Sequence, residues 1–248
     1  MKKYALVLSL LLLTSASSIL AQDSAGKSNG ATSTIPAPPA IAANSTPVEL
    51  ARAALAAMGG DKFKNLKSTM LVGSATLYAP SSAQSIPGKF VIVTAGEKIR
   101  IDINAQPMFT FKQIYDGTRT FSNIPGVEVP PASKFGLNVL GKVDQTGFTV
   151  SAIPDKKKLR GFRIVDGDGN TTDFYIDPAT ARVSEFVIPY GGYTFGSSIS
   201  KFQEYDGVLM PVSFTQRFEM PQGAYFAEYK VKEVKLNQPI SDDVFVIQ

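Results

Sequence analysis

Apolar and polar residues alternate with a period of two over most of the chain after residue 68. Ile99, Ile101 and Ile103 alternate with Lys98, Arg100 and Asp102. Near the C-terminus Val212, Phe214 and Phe218 alternate with Ser213, Thr215, Arg217 and Glu219, and Tyr225, Ala227, Tyr229 and Val231 repeat the pattern. Successive side chains of a strand point to opposite faces, so this spacing predicts half-buried strands with one aromatic face. Asp116-Gly117, Asp206-Gly207 and Gln222-Gly223 interrupt the alternation as hairpin turns. The predicted strands cover 69–78, 89–94, 99–103, 108–115, 118–122, 148–153, 159–165, 172–176 and 182–188, and three more follow residue 200; 80–87 reads as a polar loop.

Helical spacing is confined to two places. Thr46, Pro47 and Glu49 form a helix start with a capping box, and Leu50, Ala54, Leu55 and Met58 recur at helical intervals up to Gly59-Gly60. Most of its apolar residues are alanine, so it can sit close to a sheet while burying little area itself. Residues 61–67 read as one further turn. After the proline-rich stretch 124–131, residues 133–140 have helical character, interrupted by Gly136 and closed by Gly141. The sum is a single α+β domain: one long antiparallel meander of ten or so strands, a number that favours strong curvature. Periodicity by itself does not separate an incomplete barrel from a closed barrel or a sandwich.

The N-terminus has a different character. Lys2 and Lys3 precede the apolar run 5–13, and Ile19-Leu20-Ala21 offers a small residue for cleavage. Residues 1–21 are therefore expected to be a signal peptide cut near Ala21, since the apolar run falls short of the roughly 20 residues of a membrane span. Residues 22–46, rich in Ala, Ser, Thr and Pro, are expected to be a disordered spacer, with the folded domain at 47–248.

Composition then removes whole classes of chemistry. The chain has neither cysteine nor histidine. Disulfides, a lipobox and thiolate catalysis are excluded, together with the commonest general base and zinc ligand. A formal net charge of +4 over 248 residues gives no reason to expect nucleic acid. No catalytic group, metal site or cofactor is expected. Asp166-Gly167-Asp168-Gly169-Asn170 starts like a calcium loop, but Thr171 stands where such a loop needs glycine, so a hairpin turn is expected. The charge run 155–160 reads as a solvated turn. Asp102, Glu185 and Glu204 show no spacing that marks a catalytic pair.

Several stretches resemble the Lol-type lipoprotein-carrier superfamily, which includes LolA-like and outer membrane lipoprotein-sorting proteins. The strongest are YDGVLMPVSF and LNQPISDDVF, with Asp206, Gly207, Pro211, Asn237, Ile240, Asp243 and Phe245 at the matching positions. GGDKFKNLKSTMLVGSA from residue 59 and IYDGTRTF from residue 114 are similar as well. These are turn and packing residues, so they speak for fold more than for task. The resemblance implies an incomplete barrel whose strongly curved sheet is covered by the N-terminal helix and a middle helix. It implies a periplasmic, non-enzymatic binding protein or chaperone for a hydrophobic or acylated ligand, in its specific form a carrier of lipoproteins to the outer membrane. The expected partners are an acylated lipoprotein or other amphiphile and envelope membrane proteins, and a monomer is expected.

The candidate ligand-binding face consists of Ile101, Ile103, Phe109, Phe111 and Phe121 in the first half, and Phe214, Phe218, Tyr225 and Tyr229 in the second. Two readings stand: these residues form a packed core, or they line a hydrophobic cavity under covering helices too lean to fill it. Phe135, Leu137, Val139 and Leu140 are the candidate lid, against an ordinary crossover between sheet halves. The rival to a carrier is an envelope interaction module with a filled core and no lipid cargo.

Overall fold

A computed structural model describes residues 35–80, 82, 84–124, 130–221 and 223–247. The proposed signal peptide and the spacer as far as residue 34 lie outside the described residues.

Helix α1 is Pro47–Ala57. Its capping box is formed: Glu49 N donates to Thr46 Oγ1 at 3.3 Å, and Thr46 N donates to Glu49 Oε2 at 2.7 Å. Glycines end it, and the single turn α2, Asp61–Lys64, follows. Five antiparallel strands come next: β1 Ser68–Tyr78, β2 Ser85–Ala95, β3 Lys98–Ala105, β4 Phe109–Tyr115 and β5 Thr120–Ser122. A 3-10 turn at Ala132–Lys134 and the one-turn helix α3, Leu137–Leu140, carry the chain across. Seven more strands complete it: β6 Thr149–Ala152, β7 Arg160–Val165, β8 Thr171–Ile176, β9 Val183–Tyr190, β10 Tyr193–Tyr205, β11 Val208–Met220 and β12 Gly223–Leu236.

All twelve strands belong to one sheet, ordered β5-β4-β3-β2-β1-β12-β11-β10-β9-β8-β7-β6. Every neighbour is sequential except β1 and β12, whose antiparallel pairing joins the two meanders. The edges β5 and β6 do not pair, so the barrel is incomplete. Helix α1 packs on β6 and β7, α3 packs on α1, and α2 packs on β11.

Four local expectations are corrected. Residues 85–87, read as loop, belong to β2. Pro87 is tolerated there because it pairs with Thr76 of β1 while the β3 pairing begins only at Lys89–Asn104, so no second neighbour needs its missing N–H. Residues 193–200, unread as strand, form the first half of β10. Gly196, Ser197, Ser198 and Ser200 blur the alternation, but Gly191 and Gly192, both at positive φ (58° and 79°), make the two-residue turn that pairs β10 with β9. The middle helix is only two short turns, because Gly136 breaks it at φ 63°. The spacer is not free of the domain up to residue 46: Ile35 and Ile41 pack on the core, and Arg160 donates from Nη1 to Ala42 O at 2.9 Å.

The motif residues far apart in sequence converge at one end. Leu209 N donates to Met58 O at 3.0 Å where β12 has left β11 to join β1. Two residues on, Pro211 has no N–H to strand on that same vacated edge. Gly59, at φ 119°, is held so close that a Cβ would lie 2.6 Å from Gly207 O. Asn237, at φ 55°, accepts Lys67 N at its Oδ1 (2.9 Å) and donates its own N–H to Ser68 O (2.9 Å). Asn237→Ala removes the side-chain bond and keeps the left-handed backbone, so it should cost about 1–3 kcal/mol. A urea titration with unchanged m-value checks this; an unshifted midpoint would show the clasp to be dispensable.

Beyond Asn237 the tail folds over the convex face. Phe245 is buried against Val93 and Ile114, Arg100 Nη1 donates to Val244 O at 3.0 Å, and Lys98 pairs with Asp242 at 2.7 Å.

Candidate functional site

Directly paired residues of an antiparallel sheet share a face, so the pairing traces the concave surface row by row. One row runs Phe111, Ile103, Phe90, Gly73, Val231. Another includes Phe109 and Ala105 in one half, and Ala75, Tyr229, Phe214 and Ile199 in the other. A third runs Leu77, Ala227, Gln216, Ser197, Phe186, Phe174, Phe162. The last, nearest the strand tips, is Tyr225, Phe218, Phe195, Ile188.

Two parts of this surface are filled. Phe214 and Tyr229 stack at 4.7 Å, and Phe90 meets Tyr229 edge-on at 5.0 Å. Burial pushes the Tyr229 phenol well above its ordinary pKa, which keeps it neutral. Small residues make room for these rings: a Cβ at Gly73 would lie 2.1 Å from Lys230 O and 2.7 Å from the Phe90 ring. In the other half Phe162 and Phe174 stack at 5.2 Å beneath α1, whose Ala51 and Ala54 are fully buried. The lean helix is thus matched by large sheet side chains. Phe63 and Ile199 pack against both clusters.

The strand tips are different. Tyr193, Phe195, Phe218 and Tyr225 are only half-buried. Phe195 and Phe218 stack at 4.5 Å, with Tyr193 edge-on to Phe218 at 5.6 Å and Tyr225 at 6.4 Å. Phe111 is half-buried, and Phe109 is exposed at the neighbouring tip. This aromatic mouth is the candidate site. Buried Ser197 and half-buried Gln216 form a polar step between it and the filled interior.

The nine residues chosen from sequence therefore separate. Ile103, Phe214 and Tyr229 are buried in the core with Ile101 and Phe111 packed against them; Phe109, Phe218 and Tyr225 stand at the mouth. Phe121 is a correction: it pairs with Ile114, which shares a row with Arg100 and Val93, so it lies on the convex face. The length of the Asp116-Gly117 turn sets that register, and one residue of slip reverses the face. Tyr193 and Phe195 were missed; the Gly191-Gly192 turn flanked by Tyr190 and Tyr193 was the signal that marks them.

The lid candidates bridge the barrel's opening. Phe135, Val139 and Leu140 are buried and Leu137 is half-buried; Phe135 meets Tyr190 edge-on at 5.5 Å. One side is tied by Gln113 Nε2 donating to Pro130 O (2.6 Å) and by Lys142–Glu97 (2.7 Å). The other is tied by Gly136 N donating to Thr172 Oγ1 (3.2 Å) and Lys134–Asp168 (3.2 Å).

Two depressions open outside the aromatic patch, the second of them against the bridging segment at Lys134, Val139 and Lys142. One of about 360 Å³ is lined by Asp61, Lys62, Asn65, Asp206 and Asn237 over Val208 and Leu236. One of about 300 Å³ lies around Lys142, Phe148 and Asp168. Asp166 spends its carboxylate on its own turn, accepting Asp168 N, Asn170 N and Asn170 Nδ2. Among the described residues no group of three or more carboxylates is placed to hold a metal ion. Asp102 on β3 and Glu185 on β9 have β2, β1, β12, β11 and β10 between them. Lys156 of the charge run pairs with Glu185 at 2.5 Å.

No protein-family model matches the sequence, and no curated protein matches it. Solved structures do match the fold. A LolA superfamily protein from Nitrosomonas europaea aligns with a TM-score of 0.51 at 12% identity, over 78% of this chain and 97% of that one. A putative outer membrane lipoprotein-sorting protein domain from Vibrio parahaemolyticus aligns at 0.48 and 9% identity, over 80% and 95%. A DUF1329 family protein from Desulfovibrio piger aligns at 0.46 and 7%, over 82% and 98%. The likeness is one of fold: this chain has the open, helix-covered antiparallel barrel of the LolA superfamily structure.

Proposed function

We propose that the protein binds the apolar part of an amphiphile at its aromatic mouth and acts without chemistry, as a binding protein or chaperone of the periplasm reached through the signal-like residues 1–21. The observation that carries this is the patch Tyr193, Phe195, Phe218 and Tyr225, which sits on the concave face and is left half-exposed. A contiguous patch of half-exposed aromatic rings is the kind of surface that marks an interaction site. The Lol-type motifs around Asp206 and Asn237 suggest the cargo class, acyl chains of a lipoprotein, with the protein a monomeric carrier towards the outer membrane. The segment bridging the opening would act as the lid, its Phe135 beside Tyr190 at the tip of β9.

The filled interior favours the second reading. Phe90, Tyr229 and Phe214 pack ring on ring, and Phe162 and Phe174 fill the space under α1. A protein with such a core can serve as an interaction module of the envelope, its mouth meeting a partner and no lipid. Mass spectrometry of organic extracts from protein purified from its own cells separates the two. Stoichiometric acyl species, lowered about tenfold or more in a folded Phe218→Asp variant, are expected of a carrier. A lipid-free protein that ignores added fatty acid would leave only the interaction module.

A further inference from the structure

Residues 35–41, Ile-Pro-Ala-Pro-Pro-Ala-Ile, lie on the domain ahead of α1 as a strap. Their burial repeats at every third residue: Ile35, Pro38 and Ile41 are half-buried, while Pro36, Ala37, Pro39 and Ala40 are exposed. A β-strand lying on the surface would show a period of two. A period of three is that of a polyproline II helix, whose three residues per turn bring every third side chain to one face. The sequence dictates that form. Pro36, Pro38 and Pro39 fix their own φ, and each pushes the residue before it out of the α-helical region.

The surface under the strap is a flank of α1. Ala53 and Ala57, one turn apart, form with Ala181 of the β8–β9 turn a buried apolar patch of their own, on which Ile41 packs. Ile35 and Ile41 also meet the larger cluster beneath α1. Alanine methyls leave a shallow channel, so an extended segment can lie close to the helix. At its C-terminal end the strap turns into α1: Ser45 N donates to Ala42 O at 3.1 Å, and Ala42 N to Ser45 Oγ at 2.9 Å. Arg160, at the start of β7, holds this turn by donating from Nη1 to Ala42 O at 2.9 Å and from Nη2 to Ser45 O at 3.4 Å. A polyproline II segment makes no internal hydrogen bonds, so its carbonyls suit a guanidinium beside the channel. The strap's three seated side chains are each only half-buried. Such a segment can open locally while the rest of the domain stays folded.

We infer that this flank of α1 is a recognition groove for proline-rich segments in the polyproline II form, filled in the free protein by the chain's own residues 35–41 and taken over by such a segment of a partner protein. The pattern it accepts is apolar-x-x-Pro-x-x-apolar, followed by carbonyls within reach of Arg160. A preformed, low-entropy ligand of this kind binds a shallow groove without ordering itself first. The site uses no residue of the aromatic mouth and goes beyond the binding of an amphiphile. The strap is its built-in competitor. Joined to α1 through residues 42–46, it competes at an effective concentration of about millimolar or more.

Fluorescence anisotropy of a labelled peptide of residues 35–46, titrated with the full chain, tests this. The variant Ile35→Asp/Ile41→Asp, which releases the chain's own strap, is expected to bind the peptide about tenfold or more tightly than the wild type. A peptide with Ala40 and Ile41 exchanged loses the three-residue spacing and is expected to bind that variant about tenfold more weakly. Adding Arg160→Gln to the variant should weaken binding about threefold or more. Should the double variant not fold, Ile35→Ala/Ile41→Ala releases the strap in part and is expected to bind the peptide about threefold more tightly than the wild type. A folded variant that ignores the peptide overturns the inference. So does equal binding of the exchanged peptide, or equal binding by wild type and variant. Displacement of the peptide by fatty acid would assign the groove to an acyl chain, and a wild type that dimerises by exchanging straps would assign it to a second copy; either result overturns it as well.

Discussion

Gly73→Val should leave no cooperatively folded protein, and Gly73→Ala should lose about 4 kcal/mol or more, a large fraction of the roughly 5–15 kcal/mol that holds an ordinary domain together. The cause is local and steric. Gly73 sits at the bulge in the β1–β12 pairing, the contact that unites the two meanders. A Cβ there would meet Lys230 O at 2.1 Å, which is backbone and cannot swing aside, and the Phe90 ring at 2.7 Å. Relief requires β12 to move off β1, which opens the barrel at its seam. Urea unfolding of Gly73→Ala measures the effect; a loss under about 1 kcal/mol would mean that the strands approach less closely than the structure has them.

Phe214→Ala comes second, with an expected loss of about 3–5 kcal/mol, because it empties the space between Tyr229 and Ile199 in a buried row. Phe218→Ala, four residues along the same strand face, should cost only about 1 kcal/mol, since its ring is half-exposed already. The contrast divides interior from mouth. Phe214→Ala should retain amphiphile in proportion to the fraction still folded, whereas Phe218→Asp should lose it while folded. Thermal unfolding and fatty acid titration of the same samples check both. Equal losses of stability at 214 and 218 would show that the mouth is packed core.

Much of this was legible in the chain because it depends on neighbours in sequence. The capping box at Thr46 and Glu49, the glycine stop after α1, and the Asp116-Gly117 and Asp206-Gly207 turns are set within a few residues, and all of them appear in the fold. The isoleucine alternation at 99–103 identified a strand and its two faces, and the aromatic alternation at 212–231 did the same for β11 and β12. The candidate site was legible only in part. Phe218 and Tyr225 carry the pattern, but Tyr193 and Phe195 precede a glycine- and serine-rich stretch, where small side chains hide the period while the backbone still pairs.

Which residues are apolar, how they alternate and where the chain can turn were determined by the sequence itself, since propensity and turn chemistry act over a few bonds. Which strands meet, and so which aromatics are buried, only the tertiary structure decided. Residues 69–78 pair with 226–236, a contact that no local period encodes. That pairing places Ala75 beside Tyr229 and lets Gly73 admit the Phe90 ring, so Phe214 and Tyr229 are sealed inside while Phe218 and Tyr225, two rows nearer the tips, are left open. The same hydrophobicity serves as core or as mouth according to what packs over each row, and that packing is a property of the assembled half-barrel alone.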